Sequence, residues 1–120
     1  MTEWSVSLKM KNNGDKSGLL GICRKAGKLK LGMDMAKGAC ESGEAKAVFA
    51  ASDLSKKSLK EIRFSCGKNG VKLYALAMDM QQIADAVGKR TGILAVTDGG
   101  FAKALANGSE EIPADIDEIL

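Results

Sequence analysis

Residues 92–105 read GILAVTDGGFAKAL, an apolar run that breaks at one aspartate into a glycine pair and a second apolar pattern. The β-branched and aliphatic content of residues 92–97 predicts a strand. Asp98 stands where a helix N-cap is wanted, and Phe101, Ala104 and Leu105 recur at helical spacing, so a helix burying these three should follow at once. A strand that passes through one residue into a helix suggests an α/β fold, and the same junction recurs upstream.

In VKLYALA (71–77) a strand is followed by Asp79 and by Met80, Ile83, Ala84 and Val87 at i, i+3, i+4, i+7, with Gly88 to end the helix. AVFAA (47–51) is continuously apolar, as expected of a strand covered on both faces. The helix after it turns Leu59, Ile62 and Cys66 inward and Lys56, Lys60 and Arg63 to another face. Ser52, Asp53 or Ser55 can cap that helix, and Gly67 to Gly70 form the turn out. Nearer the start, Leu19, Ile22, Cys23 and Ala26 predict a helix over 17–26, ended by Gly27. Lys28 to Leu31 alternate charged and apolar side chains, the period of a short half-exposed strand. Gly32 then opens a second helix with Met33, Ala36 and Cys40 on one face, closed by Gly43.

Alternating elements of this kind predict a three-layer α/β/α sandwich around a central four-stranded sheet, mixed or largely parallel, because each crossover must travel over the sheet. Residues 16–106 hold the pattern. Residues 1–15 read as a flexible extension and 107–120 as an acidic tail, in which Ile112, Ile116, Ile119 and Leu120 are available to dock as a short closing helix.

A chain of 120 residues is one domain with room for its own core. No apolar run approaches the roughly 20 residues that a bilayer needs, and MTEWSVSLKMKNN lacks a signal-peptide core, so the expected location is the cytoplasm. Cys23, Cys40 and Cys66 form no CxxC or Cys/His pattern, and with no histidine in the chain they read as small buried hydrophobes and not as metal ligands or activated nucleophiles. Without GxSxG or a carboxylate-rich metal pattern, nothing suggests an enzyme or a small-molecule substrate, and no metal or cofactor is expected.

Charge points elsewhere. All 18 cations but only 10 of the 15 carboxylates lie at or before residue 106, so a body of +8 precedes a tail of −5. Such a body attracts polyanions, for which the tail can compete. Within it, RKAGKLKLGMDMAKG (24–38) gathers Arg24, Lys25, Lys28, Lys30 and Lys37 around the start of the second helix, whose NH groups favour anions. Neither GxxxxGK[ST] nor GxGxxG occurs. Asp34 opposes a phosphate seated on that helix end but can accept hydrogen bonds from a guanine edge, with Met33 or Met35 against the base. Against this stands the plainer alternative that Asp34 only caps its own helix and that the methionines fill the core.

The order of elements, the LKLG turn (29–32), AVFAASDLS (47–55) and the run IADAVGKRTGILAVTDGGFAKAL (83–105) together resemble the kink-turn-binding ribosomal protein superfamily. This group contains archaeal ribosomal protein L7Ae and eukaryotic ribosomal protein L30e, and the likeness is greatest to its bacterial YlxQ-type members. It covers about residues 16–106. It implies an α/β/α sandwich that binds sharply bent RNA with tandem sheared G·A pairs, without cofactor or catalysis. In the family a Gly-x-Asn-Glu-x-x-Lys segment opens the second helix and reads the guanines, and a loop before the last strand packs on bulged bases. By position these fall on Gly32, Asp34, Met35 and Gly38, and on Val87, Gly88, Lys89, Arg90 and Thr91. Asp34 stands for the family's Asn, Met35 for its Glu and Gly38 for its Lys, while Lys37 sits one residue early, about 100° round the helix. Either Asp34 and Lys37 substitute from shifted positions, or base reading is relaxed and phosphate affinity kept.

The expected RNA-binding residues are therefore Lys28, Lys30, Gly32, Met33, Asp34, Lys37, Val87, Gly88, Lys89, Arg90 and Thr91. The expected partner is a structured ribosomal or regulatory RNA, with the ribosome itself as a possible setting and no membrane. The alternative is a translation- or ribosome-associated protein-interaction adaptor on the same fold, motivated by the acidic tail and by the departures from the RNA-reading segment.

Overall fold

The computed structural model describes residues 12–113. Its elements run α1 (Asn12–Lys25), β1 (Leu29–Leu31), α2 (Met33–Ser42), β2 (Ala47–Ala50), α3 (Lys56–Asn69), β3 (Leu73–Ala75), α4 (Met80–Val87), β4 (Ile93–Val96), α5 (Gly99–Ala106) and β5 (Glu110–Ile112).

The sheet is the middle layer, and side-chain alternation along two of its three inner strands, β2 and β4, shows why. On β2 and its continuation Ala47, Phe49 and Ala51 point to one side, where they meet Leu20 and Cys23 of α1, Ile83 and Val87 of α4 and Leu105 of α5. Val48 and Ala50 point to the other, toward Ala36 and Cys40 of α2 and Ile62 and Cys66 of α3. On β4 Leu94 and Val96 feed the first core and Ile93 and Ala95 the second. Every residue of β2 and β4 is buried, which is why both read as unbroken apolar runs in the sequence.

The sandwich is as expected, but its sheet has five strands rather than four, in the order β1-β4-β2-β3-β5. Only β2 and β3 pair in parallel; β1 with β4, β4 with β2, and β3 with β5 are antiparallel. The helical crossovers do leave β1, β2 and β3 pointing the same way. Strand β4 then enters from their carboxyl edge and runs back between β1 and β2. The fifth strand lies in the acidic segment, where EEI shows no run or alternation long enough to read. It is held by its ladder to β3, by half-buried Ile112 packed on the second core, and by a Lys72–Glu111 ion pair at 3.9 Å. Ile112 thus belongs to a strand and not to a closing helix, while Ile116, Ile119 and Leu120 lie outside the described residues, as do residues 1–11.

Most local ends follow the sequence, but α1 begins at Asn12 and not at residue 17, and Ile22, expected on its apolar face, is exposed. Ser55, Asp79 and Asp98 accept the N-cap bonds of α3, α4 and α5, and Asp79 forms a full capping box with Gln82. Left-handed glycines at 43, 70 and 88 end α2, α3 and α4. Helix α3 runs through Gly67, expected as a turn, as far as Asn69, and in α5 Ala102 rather than Ala104 joins Leu105 in the core. Lys16 ties α1 to the end of α5, donating to the carbonyls of Leu105 and Asn107 and to Ser109 Oγ.

All three cysteines are free and buried. Burial, helped by the Asp98 carboxylate and opposed by Lys28, pushes the Cys23 thiol up to about 11. It is therefore protonated at neutral pH, and alkylation of folded protein should leave Cys23 unmodified at pH 7.5 while unfolded protein reacts fully; mass spectrometry after a short iodoacetamide pulse reads this. Leu94 is fully buried at the centre of the sheet. Leu94→Ala should lower unfolding free energy by about 2–5 kcal/mol, measured by urea titration.

Candidate nucleic-acid interface

Strands β1, β2 and β3 all end at one edge of the sheet, and the helices that follow them begin there. In open α/β sheets this is where ligands are commonly held. Backbone bonds close the edge: Gly32 N–H donates to Ile93 O at 2.9 Å, Ala51 N–H to Gly92 O at 2.9 Å, and Ser52 N–H to Met78 O at 2.8 Å. The start of α2, the loop before β4 and the turn after β2 are therefore one surface.

Gly32 takes φ 99° and ψ 163°, a region open to glycine almost alone. No side chain caps α2, in contrast to α3, α4 and α5. The first-turn NH groups thus face outward beside Met33, half-buried against the second core, and exposed Asp34 and Met35. Met35 is 52% exposed, so it is not the core filler that its chemistry first suggests.

Opposite, Gly88 turns left-handed at φ 84° and the loop folds back on the first turn of α4, where Arg90 Nη1 donates to Gln81 Oε1 at 3.2 Å. The buried Thr91 hydroxyl fixes its far end by donating to Ile93 O (3.1 Å) and accepting from Ile93 N–H (3.3 Å). Lys89 and Arg90 stay exposed. Val87 is buried in the first core and anchors the loop from beneath.

The remaining expected residues are spread out. Lys30, between inward Leu29 and Leu31, projects on the α2 side of the edge strand β1 and is half-buried. Lys37 lies toward α3 and is held by Glu61 at 2.9 Å, a contact that raises its pKa. Lys28 is at the other end of β1, its carbonyl accepting from Thr97 N–H and Oγ1, roughly 13 Å along the strand from Gly32. The five cations of residues 24–38 are thus not one cluster.

Reading the sequence missed the third wall of this surface. Asp53 Oδ1 accepts from Met80 N–H at 3.0 Å, and Leu54 packs so closely on Gly92 that a Cβ there would stand 2.7 Å from Leu54 Cδ1. Exposed Lys56 and Lys57 follow at the start of α3. The signal was a polar SDLSKK junction after a fully buried strand, read only for its capping.

Residues 16–106 match the sequence profile of the ribosomal protein L7Ae/L30e/S12e/Gadd45 family. The chain belongs to this family. Within reach of it is a curated relative, "RNA-binding protein YlxQ" of Enterococcus faecium, 29% identical over 85 residues that make up 71% of this chain and 82% of that protein. A solved structure of a protein of unknown function from Bacillus halodurans superposes with a TM-score of 0.72 at 26% identity, covering 77% of this chain and 93% of that one. The Giardia lamblia 15.5kD RNA binding protein shares the fold at a TM-score of 0.66 and 15% identity, over 80% of this chain and 83% of that one. The L7Ae-type fold is thus established.

The geometry of Gly32 sets a stability test. Gly32→Ala should cost about 1–3 kcal/mol, because a Cβ is strained at that φ and ψ. Gly38→Ala, on an exposed helical position with open space around it, should gain about 0.5–1 kcal/mol. Urea unfolding of the two variants beside the parent protein reads both signs.

Proposed function

We propose that this protein is a non-catalytic, ribosomal-protein-like RNA-binding protein that recognises structured RNA of the bent, G·A-containing class through the start of α2 and the loop before β4. The observation that carries this reading is the Gly32 to Ile93 bond, which sets the uncapped turn Met33–Met35 at the end of the loop that bears Lys89 and Arg90. Membership of the L7Ae family and the RNA-binding name of its YlxQ relative support it.

Each part has a chemical task. Lys89 and Arg90 neutralise phosphates, Arg90 with a planar donor fork once released from Gln81. Asp34 offers two acceptor oxygens to the amino and imino groups of a guanine. Exposed Met35 and half-buried Leu54 supply apolar surface for an unstacked base. The helix NH groups of α2 offset the carboxylate and leave the turn able to donate as well as accept. Lys37 is a minor contributor, since its ammonium is already engaged by Glu61.

Two outcomes check this by fluorescence anisotropy on a hairpin RNA with tandem G·A pairs. Replacing Lys89 and Arg90 by Gln should reduce the slope of log affinity against log salt by about 1.8, near 0.9 per lost phosphate contact. An unchanged slope refutes the loop's role. Asp34→Ala should weaken binding to the G·A hairpin more than to a fully paired hairpin of equal length, whereas equal losses on both would remove the guanine assignment.

A further inference from the structure

At the opposite edge of the sheet, where β2 and β3 begin, a second cationic surface lies outside everything assigned above. Lys46, Lys72 and Lys103 line a hollow of about 290 Å³ together with Tyr74 and Gly99. It runs into a shallower one of about 650 Å³ that shares Tyr74 and Lys103 and includes Gly100. The Tyr74 ring stands between them, half-buried, stacked on Phe49 with centroids 5.4 Å apart.

Three lysines reach this groove from three separate elements: the residue before β2, the residue before β3, and α5. Two carboxylates are near. Glu111 is 3.9 Å from Lys72, and Asp98 is engaged in capping α5 through Phe101 N–H at 2.9 Å. Lys46 and Lys103 have exposed side chains, and the glycine pair at the start of α5 lets a ligand approach the backbone without meeting a side chain.

We infer that the Lys46–Tyr74–Lys103 groove is a second RNA-binding site, one that takes a single-stranded segment with its phosphates on the lysines and a base against the tyrosine. Charge complementarity and the aromatic surface select this occupant. A duplex offers phosphates but no free base face, whereas single strands pair a cationic track with aromatic stacking. An acidic peptide would use the lysines and leave Tyr74 without a role. The groove rests on the RNA-binding reading of the chain but not on the edge that reading uses: from Ala47 to Ser52 is about 17 Å along β2, so a single-stranded flank of a folded RNA can occupy one surface while its bent portion occupies the other.

The test uses fluorescein-labelled dodeca-uridylate and the G·A hairpin, each titrated with the full chain. Lys46→Gln with Lys103→Gln should weaken dodeca-uridylate binding about tenfold at low salt, lower its salt slope by about 1.4, and leave hairpin affinity unchanged. Tyr74→Leu should weaken dodeca-uridylate further, and because it touches the core its melting profile is recorded with it. The Lys89 and Arg90 variants should show the reverse pattern. Wild-type affinity for dodeca-uridylate in the lysine pair variant overturns the groove, as does equal loss on both RNAs, and a poly-glutamate peptide that binds as tightly as dodeca-uridylate makes it a protein contact. Failure of the hairpin to bind the parent protein, with dodeca-uridylate still lost on changing Lys46 and Lys103, refutes the bent-RNA reading alone.

Discussion

Strand β4 is hydrogen-bonded on both sides, to β1 through Leu29, Lys30 and Leu31 and to β2 through Ala47 to Ala50. Its four side chains divide evenly between the two cores, so it must sit at one register to satisfy both. That register begins at Gly92 and Ile93, whose carbonyls receive Ala51 and Gly32. Fixing β4 therefore also fixes the start of α2 and the turn after β2. The candidate interface is not a loop cluster laid on a scaffold; its backbone is the end of the sheet's central ladder.

Glycine makes this possible at two points. Gly32 passes from strand to helix in a single residue at φ 99°, which a side chain would oppose, and so brings an uncapped helix turn against β4. Gly92 gives Leu54 and Met80 the space to close over the loop. Lost conformational freedom at both is offset by the double core beneath, with Leu94 and Ala95 fully buried. Backbone bonds thus fix the main chain of the candidate interface, while the side chains of Lys89 and Arg90 stay exposed.

Long apolar runs and capping residues were legible in the sequence. AVFAA and GILAVT could hardly be anything but buried strands, and Asp79 and Asp98 cap the helices that their spacing announces. Direction was not legible, because a helix between two strands does not fix the edge from which the next strand enters; β4 enters from the carboxyl edge of β1 and β2 and pairs antiparallel with both. Strand β5 was hidden because its stability comes from backbone pairing with β3, to which side-chain pattern is blind. The same limit applies to the surface. Closeness in sequence suggested that Lys28, Lys30 and Lys37 act together, but a strand separates Lys28 from Gly32 and a Glu61 contact turns Lys37 aside. Closeness in space is set by Gly32 and Ile93, 61 positions apart, and no local pattern encodes that pairing.

The sheet's polarity also orders the molecule's charge. The carboxyl ends of β1, β2 and β3 deliver helix N-termini, whose NH groups suit single acceptors placed with accuracy, and here exposed Lys56, Lys57, Lys89 and Arg90 share the edge with Asp34 and Asp53. At the amino ends of β2 and β3 one helix, α5, begins with its first turn capped by Asp98, and there Lys46, Lys72 and Lys103 add plain point charges. The two proposed sites divide the work: the first would discriminate among base edges through the start of α2, the second would add strength on phosphates of any sequence. On the proposed reading, a ligand long enough to touch both edges would gain from the second without losing the selectivity of the first, because salt-sensitive affinity added at a distance raises all sequences alike and would leave their ratio to be decided at Gly32 to Met35.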